Sequence, residues 1–391
     1  MKKLILIIPA LLIFLSCNKS DDAYQDIATY PNVTATFGSK LNLNNLYNYA
    51  NQTIPIYITK NNVGGNPITD KGATLGRVLF YDKNLSSNNA ISCSNCHNQA
   101  KGFADVNTAS IGINGTTTRH SMRLINTRFA NETKFFWDER ATSLENQTTQ
   151  PIQNHIEMGY SGTNGDGTMA TVIAKLQNIG YYKELFQFVY GSEVITETKI
   201  QLALAQFIRS IQSFDSRYDA GRALAANDGQ NFTNFTQQEN QGKNLYLTPP
   251  IFDATSNRTG GGIGCATCHA APEFDIDPNS RNNGIIGNLG LPGIDINNTR
   301  APSLRDLVDP AGNPNGPMMH TGVFTTLNTV IGHYGNINIA PGNTNLDPRL
   351  RPNGIGQKLN VNATEVQAVI AFLKTLSGNT VYTDPKWSSP F

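Results

Sequence analysis

The sequence predicts a mainly α-helical protein made of two related units with long loops. Several segments have apolar residues at helical spacing behind capping residues, whereas alternating strand patterns are weak. One ordered series of motifs occurs twice along the 391 residues. Segments rich in Gly, Asn and Pro separate the helical patterns and predict extended connections.

Residues 1–16 are typical of an export signal, with two lysines before an apolar run too short to span a membrane permanently. The Phe-Leu-Ser-Cys sequence that ends at Cys17 resembles the lipobox of bacterial lipoproteins. It predicts cleavage before Cys17, lipidation of that cysteine, and a tether and N-terminal extension over 17–66. An ordinary signal peptide with a chance cysteine is the alternative.

Three later segments carry clear helical patterns. The first begins at Thr69, and the second covers 196–214. In the third, Asn362 and Glu365 form a capping box before an apolar stripe, and Gly378 is predicted to end the helix.

The charge balance bears on the partners of the protein. Lys and Arg number 30 against 29 Asp and Glu, which gives a formal net charge of +1. Proteins that bind nucleic acid usually recruit it through a basic excess, so we exclude nucleic acid as the main partner.

An internal repeat defines the two units. Its paired members are Gly76–Phe80 with Gly242–Tyr246, Cys93–His97 with Cys265–His269, Thr118–Leu124 with Thr299–Arg305, and Thr142–Asn146 with Thr325–Thr329. Four echoes in one order predict two homologous domains. We assign them to 67–228 and 229–391, because the polar segment 225–230 breaks the helical pattern.

Each unit contains one Cys-x-x-Cys-His motif, the attachment sequence of c-type haem. The thiols of Cys93 and Cys96, and of Cys265 and Cys268, would bond to haem vinyl groups. His97 and His269 are then the predicted proximal iron ligands of two covalent haems. A zinc site would close over a far shorter loop, a redox dithiol needs neither the His nor a second copy, and disulfides leave the His unexplained.

Around these motifs the sequence resembles the bacterial dihaem cytochrome c peroxidase / MauG family, over about residues 67–380. The matching segments are Leu75–Asp82, Phe136–Arg140, Leu144–Gln147, Pro151, Glu157–Gly159, Thr299–Arg305, Met319–Gly322, Thr326-Leu327 and His333-Tyr334. The resemblance implies two c-type cytochrome-like domains. It also implies a peroxidatic haem in the N-terminal domain and an electron-transfer haem in the C-terminal domain.

The resemblance assigns roles to three residues of the first half. Glu157 matches the distal acid/base, which exchanges protons with peroxide, and Gln147 matches the amide that orients the bound ligand. Without the family match they would be a solvated acid and an ordinary helix residue. Trp137 matches a tryptophan that relays electrons between the haems, and a buried core tryptophan is the alternative.

Tyr334 matches the position of the second axial ligand of the C-terminal haem. Classical peroxidases of the family carry Met there, and MauG carries Tyr. A phenolate favours ferric and more oxidised iron, whereas a thioether favours ferrous iron. His333, Met318 and Met319 remain alternative ligands.

Two positions depart from the family pattern. Many of its peroxidases have a His after Ser-Ile-Gly that blocks the first iron until reductive activation, whereas this loop reads Ser110–Ile113. The first iron is therefore predicted to be open from the start, with His120 as an alternative blocking ligand. His120 also replaces an Asn that, in the family, ligates an interdomain Ca²⁺. Binding of this ion is therefore doubtful here, even though Asn315 and Pro317 could offer carbonyl groups.

These features predict a peroxidase that reduces hydrogen peroxide to water. Its electrons would come from a small donor protein, a cytochrome c or a cupredoxin, at the C-terminal haem. The alternatives are a MauG-like oxidase of a protein or organic substrate and a non-catalytic dihaem electron carrier. The predicted location is the periplasm or cell envelope, with a lipid anchor. A homodimer is possible, but the sequence does not determine the oligomeric state.

Overall fold

The computed structural model describes residues 29–300 and 302–391. The predicted signal peptide and Cys17 lie outside the described residues. Among the helices in the described part of the chain, none is both long and apolar enough to cross a membrane.

The regular structure is mainly helical, as predicted. In chain order, the described α-helices are α1 Pro31–Phe37, α2 Asp70–Tyr81, α3 Cys93–Cys96, α4 Leu144–Thr148, α5 Met169–Gln177, α6 Gly180–Tyr190, α7 Glu197–Ser210, α8 Arg217–Arg222, α9 Gln237–Leu247, α10 Leu327–Gly335 and α11 Ala363–Lys374. The strands form three short antiparallel pairs, β1 Ile111–Gly112 with β2 Gly115–Thr116, β3 Pro250–Phe252 with β4 Arg258–Gly261, and β5 His269–Ala270 with β6 Asp275–Ile276.

The three predicted helices form at α2, α7 and α11, each behind its predicted cap. The Thr69 side chain accepts a hydrogen bond from a backbone amide of the first turn of α2, and Asn362 and Glu365 form the capping box of α11. The prediction that Gly378 ends α11 was wrong, because the helix already stops at Lys374. The backbone N–H of Gly378 instead donates to the Asp306 carboxylate at 2.9 Å.

The two units share an equivalent helix crossing. Helix α2 packs on α7, and α9 packs on α11. A Cβ atom at Gly76 would collide with the carbonyl oxygen of Ala203, and one at Gly242 would collide with that of Ala368. This close approach explains why the repeated motif begins with glycine in both halves.

We expect Gly76→Ala and Gly242→Ala each to lower the free energy of unfolding by about 1–3 kcal/mol, because the helices must separate to admit the methyl group. Denaturant titration of the holoprotein measures this. Gly332→Ala in α10 is the matched control, since an added Cβ there meets open space. It should be neutral or gain up to about 1 kcal/mol in helix propensity. Wild-type stability of both crossing variants would contradict the close approach.

The buried apolar residues form two main clusters. The first draws on residues between 33 and 211, and the second on residues between 218 and 376. The C-terminal segment returns to the first cluster, where Trp387 is buried and its Nε1 donates to Ser210 Oγ at 3.2 Å. The assignment of one haem to each half stays a prediction.

A buried ion pair joins the two halves. The Arg305 guanidinium donates to both carboxylate oxygens of Asp219 at 2.9 Å, and both side chains are buried. The N-terminal extension lies across the same junction. Its Tyr57 hydroxyl donates to Asp219 Oδ1 at 2.9 Å, and Lys60 pairs with Asp275 at 2.5 Å. These contacts hold the two halves in one arrangement.

Candidate active site

Two cavities of the described structure share a wall. The first has a volume of about 500 Å³, and its walls include His97, Gln147 and Glu157. The second has a volume of about 360 Å³, and its walls include His269 and Tyr334. The residues that line both cavities are His120, Ser121, Met122, Arg123, Trp137, Arg300 and Pro302.

The first Cys-x-x-Cys-His motif forms helix α3 and the residue that follows it. Ser92 and Asn95 cap the helix, with the Ser92 N–H donating to Asn95 Oδ1 at 2.9 Å. The backbone N–H of His97 donates to the Cys93 carbonyl at 3.0 Å. Burial lowers the pKa of His97 to about 4. Its imidazole is therefore neutral at neutral pH, which is the form that ligates a metal.

The second motif forms a 3₁₀ turn, Cys265–Thr267, and then enters β5 at His269. The Tyr246 hydroxyl donates to the His269 carbonyl at 2.5 Å. Burial lowers the pKa of His269 to about 4, and its Nδ1 is buried without a hydrogen-bond partner. A neutral imidazole thus lies on the wall of the second cavity.

The four motif cysteines are not joined by disulfides. Burial raises the pKa to about 12 at Cys93, about 11 at Cys96 and about 12 at Cys265, and it raises that of Cys268. They are therefore protonated at neutral pH.

Helix α4 and the loop after it contribute two of the predicted site residues to the first cavity. Gln147 lies on α4, and the backbone N–H of Glu157 donates to Asn154 Oδ1 at 3.1 Å. Burial raises the pKa of Glu157, and the charge of Arg140 opposes the shift. The structure thus brings Glu157 and Gln147 to the cavity that His97 lines.

The loop that lacks the family's blocking histidine lies beside Glu157. Ile113, between β1 and β2, donates its backbone N–H to the Glu157 carbonyl at 3.1 Å. A hydrocarbon side chain cannot ligate iron. His120, the alternative blocking ligand, lies on the shared wall with its Nδ1 2.9 Å from the Asn107 carbonyl.

Trp137 lies on the wall between the two cavities. Its Nε1 donates to the His120 carbonyl at 2.7 Å, and its own carbonyl accepts from the backbone N–H groups of Thr299 and Arg300 at 2.9 and 3.0 Å. Its ring meets that of His320 edge to face at 6.1 Å. Backbone from both halves of the repeat therefore fixes this tryptophan.

Tyr334, Met318 and Met319 line the second cavity, whereas His333 is not among its lining residues. The Nε2 of His333 lies 2.8 Å from the Asn283 carbonyl. The Asn283 side-chain amide is 3.1 Å from both the Tyr334 hydroxyl and the Met319 sulfur. Burial raises the pKa of Tyr334, and this hydrogen bond opposes the shift. Sequence reasoning missed Asn283, because its loop is rich in similar residues.

In the part of the chain that the structure describes, the predicted calcium position has a buried oxygen without a partner but no cluster of acidic side chains. The Asn315 side-chain amide donates to the Asp306 carbonyl at 2.9 Å and the Tyr382 hydroxyl at 2.8 Å, and its Oδ1 is buried without a partner. Across residues 29–300 and 302–391, no three His, Cys, Asp or Glu side chains are grouped to hold a metal ion. Calcium binding therefore stays a prediction that depends on carbonyl and amide oxygens.

Two cavities, each with a half-buried, neutral imidazole beside two thiols, fit the donor set of c-type haem. The first cavity also has the half-buried Glu157 carboxyl group and the Gln147 amide among its walls. Such an arrangement is the one expected of a dihaem oxidoreductase.

Comparisons with known proteins agree with this class. Residues 70–227 match the family of di-haem cytochrome c peroxidases. The methylamine utilization protein MauG of Methylophilus methylotrophus is 27% identical over 334 residues, which is 80% of this chain and 84% of that protein. The cytochrome c551 peroxidase of Nitrosomonas europaea is 28% identical over 329 residues, 78% of this chain and 80% of that protein.

A solved structure resembles most of the fold. The crystal structure of a MauG-like protein associated with microbial copper homeostasis is 29% identical, with a TM-score of 0.66, and the match covers 87% of this chain and 99% of that one. Residues 70–227 thus match the family model, and about four fifths of the chain is similar to MauG proteins and cytochrome c peroxidases. These similarities support an oxidoreductase.

Proposed function

We propose that the protein is an exported, lipid-anchored dihaem peroxidase that reduces hydrogen peroxide to two waters, using two electrons from a small redox protein and two protons. One observation carries this proposal. Glu157 and Gln147 line the same cavity as His97, so an acid/base group and an amide share a cavity with the predicted iron ligand. An electron carrier needs neither group.

Cys93, Cys96 and His97 would hold a haem in the first cavity, and its iron would supply the redox chemistry. Glu157 takes a proton from the near oxygen of peroxide and returns it to the far oxygen, which leaves as water. Its raised pKa suits this exchange, because the acid holds its proton closer to neutral pH than an exposed glutamate does. Gln147 orients the peroxide through its side-chain amide.

Cys265, Cys268 and His269 would hold the second haem, where the donor protein delivers electrons. Trp137 is the proposed relay residue, since its ring lies on the wall common to both cavities. Its fixed backbone and Nε1 hydrogen bond keep the ring in one orientation.

A MauG-like oxidase of a protein or organic substrate is the second candidate. The presence of Tyr334 on the wall of the second cavity favours it, because a phenolate ligand stabilises the oxidised states of iron. The two candidates differ in whether a donor protein or a substrate supplies the electrons.

Peroxide turnover by the purified holoprotein with a reduced small cytochrome c tests the proposal. We expect two cytochromes oxidised per peroxide consumed. No donor oxidation, together with oxidation of an added protein or organic substrate, would favour the oxidase. Two irons that bind neither cyanide nor peroxide would indicate a carrier.

We expect Tyr334→Phe to remove the phenolate signature from the spectrum of the oxidised protein and to raise the midpoint potential of the second haem, because an anionic ligand is lost. His333→Gln is the matched control, since His333 is adjacent in sequence but does not line the cavity. Absorption spectra during a potentiometric titration measure both effects. A spectral change in the His333 variant alone would assign the ligand to that residue instead.

A further inference from the structure

The repeated Thr-Arg segment contributes four arginines to the region around the two cavities. Carboxylates neutralise two of them. Arg119 contacts Asp138 and Asp295 at 2.7 Å each, and Arg305 holds the Asp219 carboxylate as described above. The remaining two are Arg300, which is the repeat equivalent of Arg119 and is buried, and Arg123, which has no arginine at its equivalent position and is half-buried.

Arg300 is only 8% exposed, stacks over the Phe135 ring at 4.6 Å and donates to the Lys134 carbonyl. Arg123 donates to the Ser303 carbonyl at 2.9 Å. The Nε atoms of both side chains are buried without a hydrogen-bond partner. Among the described residues, neither guanidinium has a carboxylate within the 4.0 Å of an ion pair.

A buried charge without a counter-ion is unfavourable. Burial lowers the pKa of Arg300 to about 10 and also lowers that of Arg123. The acids that oppose these shifts act at longer range. They are Glu132, Glu139 and Asp275 around Arg300, and Asp306 with the Tyr382 hydroxyl around Arg123. The two positive charges therefore lack a close anionic partner within the described protein.

Both guanidiniums belong to the cavity walls. Arg123 and Arg300 line the first cavity and the second, so each faces the space on both sides of the shared wall. The other arginines on these walls differ. Arg140 pairs with Asp138, and Arg349 pairs with acids of the second half. Arg119 pairs with Asp138 and Asp295, and Arg281 is exposed to solvent.

We propose that Arg123 and Arg300 bind the propionate carboxylates of the two haems across the wall that the cavities share. The inference rests on the cofactor assignment in the proposed function, and not on peroxide turnover. Each haem brings two carboxylates, and a guanidinium can donate two parallel hydrogen bonds to a carboxylate. The pairing supplies the missing counter-ions of the arginines and orients each haem from its propionate edge.

A consequence for the irons follows from the charges. A fixed positive charge near a haem stabilises the reduced state, in which the iron carries one charge less. A neutral residue at either position should therefore lower the midpoint potential of at least one haem. It should also raise the pKa of a propionate, because the carboxylate loses its cationic partner.

Potentiometric titration of the holoprotein tests the inference with Arg123→Gln, Arg300→Gln and the corresponding lysine variants. For the glutamine variants we expect at least a tenfold fall in the ratio of reduced to oxidised haem at a fixed applied potential, which is 59 mV for a one-electron couple. Lysine keeps the charge and should restore part of the shift. Arg217→Gln is the control, because it makes the same charge change at a side chain that is 55% exposed.

The pH dependence of the midpoint potentials identifies the anion. In the glutamine variants, the region where the potential changes with pH should move to higher pH as a propionate becomes easier to protonate. Wild-type potentials and wild-type pH profiles in both glutamine variants would overturn the inference. So would a wild-type potential that depends on chloride concentration with no change of pH profile in the variants, because the ligand would then be an inorganic anion.

The lysine variants and the potentiometric readout let the test distinguish the possible outcomes. If a glutamine variant fails to mature, the lysine variant at the same position still reports the pH profile, which a purely structural arginine would leave unchanged. Potentiometry needs no peroxide turnover. A protein that fails as a peroxidase can therefore still confirm the propionate contacts, and the reverse also holds.

Discussion

Glu157→Gln is expected to lower peroxide turnover by about 10²- to 10⁴-fold, the usual contribution of a positioned acid/base group. Glutamine keeps the size of the side chain on the wall of the first cavity, but it can neither take nor return a proton. Stopped-flow oxidation of a reduced cytochrome c by peroxide measures the loss. Glu193→Gln, at an exposed acid away from the cavities, is the matched control.

The pH dependence of peroxide turnover in the wild type should also report the titration of Glu157. Glu157 must be ionised to accept a proton from peroxide, so the rate rises as the pH passes upward through its pKa. Because burial raises that pKa, the rise should occur at higher pH than an exposed glutamate would give. The Glu157→Gln variant should lose this limb of the profile. Unchanged turnover and an unchanged profile would show that another group transfers the proton.

The free energy of unfolding of Glu157→Gln shows whether a loss of turnover comes from the missing acid/base group or from a less stable fold. The pKa of Glu157 is higher in the folded protein than in the unfolded chain, so folding favours the protonated acid. That stabilisation is present at low pH and is lost as the pH rises through the folded-state pKa. Glutamine has no such titration. We therefore expect Glu157→Gln to be at least as stable as wild type at neutral pH.

Arg305→Met is expected to lower the free energy of unfolding by about 3–5 kcal/mol, because it leaves the Asp219 carboxylate buried without its partner. The Arg305 side chain is fully buried, and both of its contacts with Asp219 are 2.9 Å. Denaturant titration of the holoprotein measures the loss. Arg217→Gln on α8 is the matched control, because it removes the same charge from a side chain that is 55% exposed and should therefore cost much less stability than Arg305→Met.

A double-mutant cycle isolates the pair. Asp219→Asn alone should also be destabilising, and the double variant should lose much less than the sum of the two single losses, because each single change already removes the ion pair. Additive losses would mean that the two side chains contribute independently and that other contacts join the halves.

The sequence predicted those features of the fold that depend on local chemistry. Helices α2 and α11 begin at Thr69 and Asn362, because a side-chain oxygen there satisfies a backbone N–H of the first turn. The end of α11 was not predictable in the same way. Gly378 is needed for a close contact with Asp215 and for its hydrogen bond to Asp306, and both contacts join distant parts of the chain.

In the candidate site, too, some features were predictable from the sequence and others depend on long-range contacts. The family resemblance brought Glu157 and Gln147 forward, and the structure does bring both to the cavity of His97. The sequence could not reveal that Arg123 and Arg300 lack carboxylate partners while Arg119 has them. Pairing depends on acids far away in the chain, and such long-range contacts have no periodic or spacing signal in a single sequence.

The return of the C-terminal segment to the first apolar cluster matters for how the protein is made. Trp387 and its neighbours complete the core of the half that is synthesised first, and the Tyr81 hydroxyl donates to the Trp387 carbonyl at 2.6 Å. The first half therefore cannot complete its core until Trp387 has been synthesised. A truncation before Trp387 would accordingly disturb the half with the proposed peroxide site, although the cut lies in the other half of the repeat.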